Sequence, residues 1–358
     1  MKRILLLILM LGMLPTVAFA RAEFKIVTAS ERGTYIQIGR DLAKFVAEPA
    51  DIGLEVLPSK GSADNVARLR DEPGVKFALV QSDVYQAFLD QAASGNRSAG
   101  RIIRPLRVVM PLYNEEIYFV VRADSPLNYI HEIKNQKLSI GPVGSGTALS
   151  ATTLYRLMFG QPLPEANATY VTNEEALIKL TTDKSVDVAV IVAGQPAKLF
   201  ADMKPEARQF IKLLKLDEKA RESQRAVETY YPAAIRPASY PNWITEEVPT
   251  LTVKAFLVTY DYNLEHTTRY LNAFADSLCR NFDTLQSQGH AKWKEVKLEL
   301  PPLGKGWSYY PPMERTMRNC IAQRTGSASA GARESHPLAV PPGRNCTQQE
   351  KVLGLCGS

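Results

Sequence analysis

A chain of 358 residues, 45% hydrophobic and 22% charged, has the makeup of an ordinary globular protein, which excludes the disordered and low-complexity classes for most of its length. The formal charge of +6 is mild, and no basic block or basic–aromatic stripe stands out, so nucleic acid is not an expected partner. The length exceeds what a single core usually organises, and two lobes are the expectation.

Lys2 and Arg3 precede the apolar run Ile4 to Met13, and Ala18-Phe19-Ala20 supplies a small-x-small cleavage pattern. Residues 1–20 therefore read as a cleaved secretory signal peptide that sends the chain to the periplasm; its apolar core is too short for a membrane span. No cysteine follows that could accept a lipid.

The first strand is expected over Lys25–Thr28, ending in the turn Ala29-Ser30-Glu31-Arg32-Gly33-Thr34-Tyr35. Tyr35, Ile38, Leu42, Phe45 and Val46 then recur at helical spacing. Leu54–Leu57 is a second strand, closed by Pro58-Ser59-Lys60-Gly61-Ser62 and followed by a short helix over Asp64–Arg70. Phe77–Val80 is a third, running into Gln81-Ser82-Asp83. This β-α-β-α-β order implies a parallel sheet covered by helices. Asn96–Gly100 reads as a polar loop, and Arg107–Leu112 and Glu116–Arg122 as two strands leaving the first lobe.

A similar rhythm restarts near Ile130. Leu138–Ile140 leads into Gly141-Pro142-Val143-Gly144-Ser145-Gly146-Thr147 and a helix to Met158, and Asn173 is placed to cap the next helix. Val186–Val192 is almost wholly apolar, as a strand covered on both faces would be, and ends in Ala193-Gly194-Gln195-Pro196. Phe210–Leu216 is another strand, Tyr230–Pro249 an irregular Pro- and Tyr-rich crossing, and Val253–Tyr260 a strand matching Glu116–Arg122 in length and apolarity. Leu264–Phe282 is helical, and residues 325–342 are rich in Gly, Ala, Ser and Pro, as a flexible linker would be. Of the four cysteines, Cys279 and Cys320 are expected to clamp C-terminal helices and Cys346 and Cys356 to close a tail loop within 325–358, although three pairings are open to four cysteines. His131, His266, His290 and His336 show no metal-ligand spacing against the cysteines, so no metal and no cofactor is expected.

Four apolar runs thus end in turns of glycine and small hydroxyl residues. Such turns place free backbone N–H groups where a helix dipole favours negative charge. Several of them at the carboxyl ends of parallel strands line a crevice suited to a small anionic or polar ligand. Ser30, Gly33, Thr34, Tyr35, Ser59, Gly61, Ser62, Gln81, Ser82, Gly144, Ser145, Gly146 and Thr147 are the candidate ligand-binding residues, with Gln195 and Tyr240 added from the second half. Enzymatic signatures are missing: Val143 occupies the first glycine position of a nucleophile elbow around Ser145, and residues 141–147 lack the lysine of a phosphate-binding loop. The acidic pairs Glu115-Glu116, Glu174-Glu175 and Glu246-Glu247 are expected to face solvent in different directions.

Taken in order, Arg32-Gly33-Thr34-Tyr35-x-x-Ile38-Gly39, Gly61-Ser62-x-x-Asn65, Leu79-Val80-Gln81-Ser82-Asp83, Gly141-Pro142-x-Gly144-Ser145-Gly146-Thr147, Ala193-Gly194-x-Pro196 and the run from Tyr240-Pro241 to Thr259 resemble the TAXI family of solute-binding proteins, which serve TRAP transporters. The resemblance covers roughly residues 24–315. It implies an α/β, two-lobed type II periplasmic-binding-protein architecture, with lobe one at about 24–118 plus 250–320 and lobe two at 119–249. It further implies a monomer without catalysis that passes a small carboxylate or amino acid to a TRAP membrane permease. A periplasmic sensor that reports its bound state to a signalling partner is the alternative. The chain departs from the family where Arg32 precedes Gly33 and Lys60 precedes Gly61; each puts a cation in a cleft loop, where either Arg32 or Lys60 pairs with a ligand carboxylate and favours a di- or tricarboxylate, or both point to solvent.

Overall fold

The computed structural model describes residues 21–31, 33–227, 229–304 and 306–334. The expected signal peptide, Arg32, the Cys346–Cys356 loop and residues 335–358 of the tail lie outside the described residues.

The first half alternates strand and helix: β1 (Ala22–Val27), α1 (Thr34–Leu42), β2 (Ile52–Leu57), α2 (Ser62–Asp71), β3 (Val75–Gln81), α3 (Val84–Ala93) and α4 (Arg97–Ile103). In α1 the expected face is buried through Tyr35, Ile38 and Leu42, and a wider π turn over Ala43–Ala47 buries Val46 and Ala47 as well. The expected polar loop at 96–100 is instead the start of α4. Asn96 caps it by accepting the Ala99 N–H, and Ala99, Gly100 and Ile103 are buried.

Arg107–Leu112 and Glu116–Arg122 are one continuous strand, β4 (Leu106–Arg122). The second half then follows as β5 (Leu138–Ser139), α5 (Gly146–Phe159), β6 (Ala168–Thr169), α6 (Asn173–Thr181), β7 (Val188–Ala193), α7 (Lys198–Ala201), β8 (Ile211–Leu213), α8 (Arg221–Ala226), β9 (Tyr231–Ile235) and β10 (Val248–Tyr260). The chain ends in α9 (Glu265–Arg280), α10 (Phe282–Gln288) and α11 (Pro311–Glu334). Two expectations shift. The crossing segment carries β9, which pairs with β10, and the stretch expected as linker begins inside α11. Ala and Arg are good helix formers, so the early part of that stretch continues the helix.

The strand order is β2-β1-β3-β10-β4-β7-β5-β6, with β8 added to β4 and β9 to β10. The β2-β1-β3 group is parallel, and so is the β7-β5-β6 group; β10 and β4 join them through antiparallel pairings. The fold is therefore α/β with two lobes that share one sheet and two long strands. Side chains of β4 switch cores along its length. Leu106 to Tyr113 feed the core formed with β1, β3, α9 and α11; Ile117, Phe119 and Val121 feed a second core, and Tyr118 and Val120 a third on the opposite face. Asn114, Glu115 and Glu116 sit at the waist between them.

Cys279 on α9 and Cys320 on α11 form a disulfide, as expected, and both are buried against the first core. Closing a loop of sequence separation 41 restricts the unfolded chain. Replacing both cysteines with serine should cost about 2–4 kcal/mol. Urea titration checks this, and reduced wild-type protein should show the same loss.

Candidate functional site

Several helices of this order begin shortly after a strand ends, and four of these beginnings meet. Thr34 opens α1, Ser62 opens α2, Gly146 opens α5 and Asn173 opens α6; all four line one cavity of about 180 Å3. α1 and α2 belong to the first half of the sheet, α5 and α6 to the second, so the cavity lies between the lobes. Ser30, Gly33, Tyr35, Lys60, Gly61, Gln81, Ser145 and Thr147 also line it, together with Ala29, Glu115, Val192 and Ala193. Eleven of the sequence candidates are therefore gathered at one place: Ser30, Gly33, Thr34, Tyr35, Lys60, Gly61, Ser62, Gln81, Ser145, Gly146 and Thr147.

The lips of the cavity are closed by backbone rather than by side chains. Gly61 holds φ at +121°, in the region only glycine adopts easily, and a Cβ there would come within 3.0 Å of the Gly146 amide nitrogen. A Cβ on Gly146 would overlap the Gln81 amide. The Asp64 N–H donates to the Gly144 carbonyl across the same seam, at 3.4 Å. At the start of α5 the Ser145 hydroxyl is the N-cap, accepting the Ala148 N–H at 3.0 Å, while the Val192 N–H donates to the Thr147 hydroxyl at 3.3 Å. At α6 the cap is Thr172, in a capping box with Glu175, and Asn173 is the first helical residue.

The floor is acidic. Glu115 is 5% exposed and Glu116 4%, so this pair does not face solvent as expected. The Tyr35 hydroxyl donates to Glu115 Oε2 at 2.7 Å, and the Gln195 N–H donates to Glu116 Oε2 at 3.0 Å. The buried Lys292 ammonium is close by, donating to Glu295 Oε2 at 2.7 Å and to the Asn114 carbonyl at 3.4 Å. Burial pushes the Glu115 carboxyl up to about 7 against the opposing hydrogen bond from Tyr35 and the charge of Lys292. Burial raises Glu116 too, again opposed by Lys292. The Tyr35 hydroxyl is raised by burial first and by the Glu115 charge second.

The other candidates are placed elsewhere. Ser59 shapes the turn, donating to the Thr28 carbonyl and accepting the Gly61 N–H. Ser82 bonds to the Lys254 backbone and faces a different cavity. Gly144, with φ of +83°, borders a groove of about 850 Å3 between α3 and α5. Gln195 spends its amide on the Ala234 carbonyl and the Arg236 N–H. The Tyr240 hydroxyl meets that of Tyr118 at 2.6 Å and accepts the Ala197 N–H, among Phe200 and Trp243. Glu115 and Asn173 are the polar residues of the lining that sequence reading left out of the site, beside Ala29, Val192 and Ala193. Glu115 had a signal: Asn114-Glu115-Glu116 breaks the apolar runs on either side of it within one strand, where charges need a reason.

A sequence model of the NMT1-like family matches residues 26–300, most of the chain. The chain belongs to the NMT1-like family. The NMT1-like match agrees with an α/β periplasmic-binding-protein fold for this chain. Among solved structures it is similar to the periplasmic binding protein BugD, at 14% identity over 85% of this chain and 96% of that one, with a TM-score of 0.46. It is also similar to ArtJ, the arginine-, lysine-, histidine-binding protein of Geobacillus stearothermophilus, at 12% identity over 80% of this chain and 99% of that one, with a TM-score of 0.45.

Two outcomes follow from this geometry. Ser145→Ala, which removes the cap of α5, should lower stability by about 1 kcal/mol in denaturant unfolding. Glu115 is raised above its ordinary value of 4.5, so its contribution to stability is complete below that value and is lost as pH rises through about 7. The neutral isostere Glu115→Gln should therefore gain on wild type between pH 4.5 and 8. Unfolding of ligand-free protein across that range would show parallel curves if Glu115 were ordinary.

Proposed function

We propose that this NMT1-like chain is the extracytoplasmic solute-binding protein of a TRAP-type transporter, working in the periplasm as a monomer after residues 1–20 are removed. The observation that carries the binding reading is the convergence of four helix N-termini, two from each lobe, on one small cavity. Backbone N–H groups at helix starts, aided by the dipole, favour a carboxylate without a formal counter-charge. Thr34, Ser62, Thr147 and Lys60 line the same space and bring hydroxyl and ammonium donors to its neighbourhood. Arg32 belongs to the same proposal as a second cation for a ligand carboxylate. The buried Glu115 carboxylate is a poor neighbour for a second anion and a good one for an ammonium group.

The ligand is accordingly a small carboxylate of the amino-acid type, its carboxylate at the helix starts and its ammonium toward Glu115. Contacts to both lobes would favour the closed arrangement and present it to the permease. The chain binds and releases its solute without altering it.

The test is thermal and chemical unfolding of the stripped, refolded protein against amino acids, their deaminated analogues, dicarboxylates and sugars. A true ligand at ~100 times its dissociation constant should add about 2.7 kcal/mol. Amino acids should outrank their deaminated analogues, and Glu115→Gln should erase that difference. Stabilisation by sugars alone, or by nothing in the panel, would overturn the reading. Solute uptake in liposomes carrying the neighbouring permease, with and without this protein, tests the transporter assignment.

A further inference from the structure

Behind the cavity the two lobes meet at a second buried acid. Asp83, just after β3, is 1% exposed and has no ion pair among the described residues. Its partners come from the other lobe: the Ser150 hydroxyl of α5 lies 2.6 Å from Oδ2 and the Tyr230 hydroxyl 2.8 Å from it. Oδ1 is buried with no hydrogen-bond partner. A carboxylate sealed away from water with two hydroxyl donors and one empty oxygen is a poor solution for a charge.

The same atoms accept an extra proton without losing a bond. The Tyr230 hydroxyl also lies 3.1 Å from the Ser150 carbonyl, and the Ser150 hydroxyl lies 3.4 Å from Gln81 Oε1. A protonated Oδ2 can donate to the Tyr230 oxygen while Tyr230 turns its own proton to the Ser150 carbonyl. The Ser150 hydroxyl is then free to donate to Asp83 or to Gln81. We propose that Asp83 is a proton-binding site of the lobe interface, and that closing the cleft takes up one proton there, sealing the lobes through a neutral carboxylic acid.

Parting the lobes takes away Ser150 and Tyr230 together and returns the carboxyl to water, where it ionises. Burial in the closed arrangement raises it from 3.8 to about 6, the two hydroxyls opposing. The closed form thus holds the proton more tightly, and closure is favoured as pH falls from about 6 toward 3.8. Charged groups on the elements packed around this cluster include Asp90 on α3, Arg156 on α5, Arg221, Glu222 and Arg225 on α8, Lys254 on β10 and, beyond Gln81, Glu115 on β4. Asp90 and Arg156 pair with each other across the lobes, and Lys254 meets Ser82 through its backbone N–H.

The proposal rests on the two-lobed binding reading, but protons alone are the probe, so its failure would leave the ligand panel standing. Small-angle scattering of the full ligand-free protein from pH 7.5 to 5 reads the closed population. The closed-to-open ratio in wild type should rise about tenfold between pH 7 and pH 5. Asp83→Asn, a neutral isostere, should be more compact at pH 7.5 and should lose the tenfold rise. Should the Asn variant fail to fold, Tyr230→Phe removes one of the two hydroxyls that oppose the rise and should move the compaction to higher pH. A wild-type protein whose dimensions ignore pH, a response that survives in Asp83→Asn, or one that stays at the wild-type pH in Tyr230→Phe, overturns the proposal.

Discussion

The antiparallel pairing of β4 with β10 is the constraint on which the rest depends. Each strand is long enough to serve both halves of the sheet, and their ladder runs from Leu106 opposite Tyr260 to Ile117 opposite Leu251. The parallel groups on either side have no hydrogen bonds to each other except through this pair. The register shifts beside Lys254, where β10 also hands over to the β3 edge. Irregularity at that point lets the two cores be packed separately while the backbone stays continuous. The site follows from this arrangement, because strands that end at the waist deliver their helix starts to it.

The buried acids are the other side of that economy. Glu115 and Glu116 stand on β4 where the side chains pass from one core to the next, and Asp83 stands where β3 gives way to α3. All three are placed where apolar packing is interrupted anyway. Each receives donors brought from elsewhere in the chain: Tyr35 for Glu115, the Gln195 backbone for Glu116, Ser150 and Tyr230 for one oxygen of Asp83. Lys292 supplies one buried positive charge beside the two glutamates. The waist of the molecule is therefore a polar seam between apolar bodies, tuned by burial more than by ion pairing.

Sequence reading found what local chemistry encodes. Glycine and hydroxyl residues after apolar runs announce strand-to-helix turns, and those turns make up most of the cavity lining. The helical face of α1 and the apolar strands were legible for the same reason. What it missed depends on long-range partners. Asn96–Gly100 looks like a loop until the buried face of α4 is supplied by neighbours. Glu115 and Glu116 look solvated because nothing nearby in the sequence reveals Tyr35 or Lys292. Gln195 and Tyr240 sit in turns that resemble ligand loops, yet their polar atoms are consumed in holding β9 and α7 in place.

The glycine seam has a consequence for dielectric screening. Because Gly61 and Gly146 meet as bare backbone, the lips can approach more closely than any pair of side chains would allow, leaving little room for water between them. A solute held behind such a seam interacts with helix starts and with Glu115 in a medium of low permittivity, where each charge contact is several times stronger than in solution. A single methyl group at either glycine would act as a wedge, admitting solvent to the cavity and weakening every electrostatic contact inside it at once.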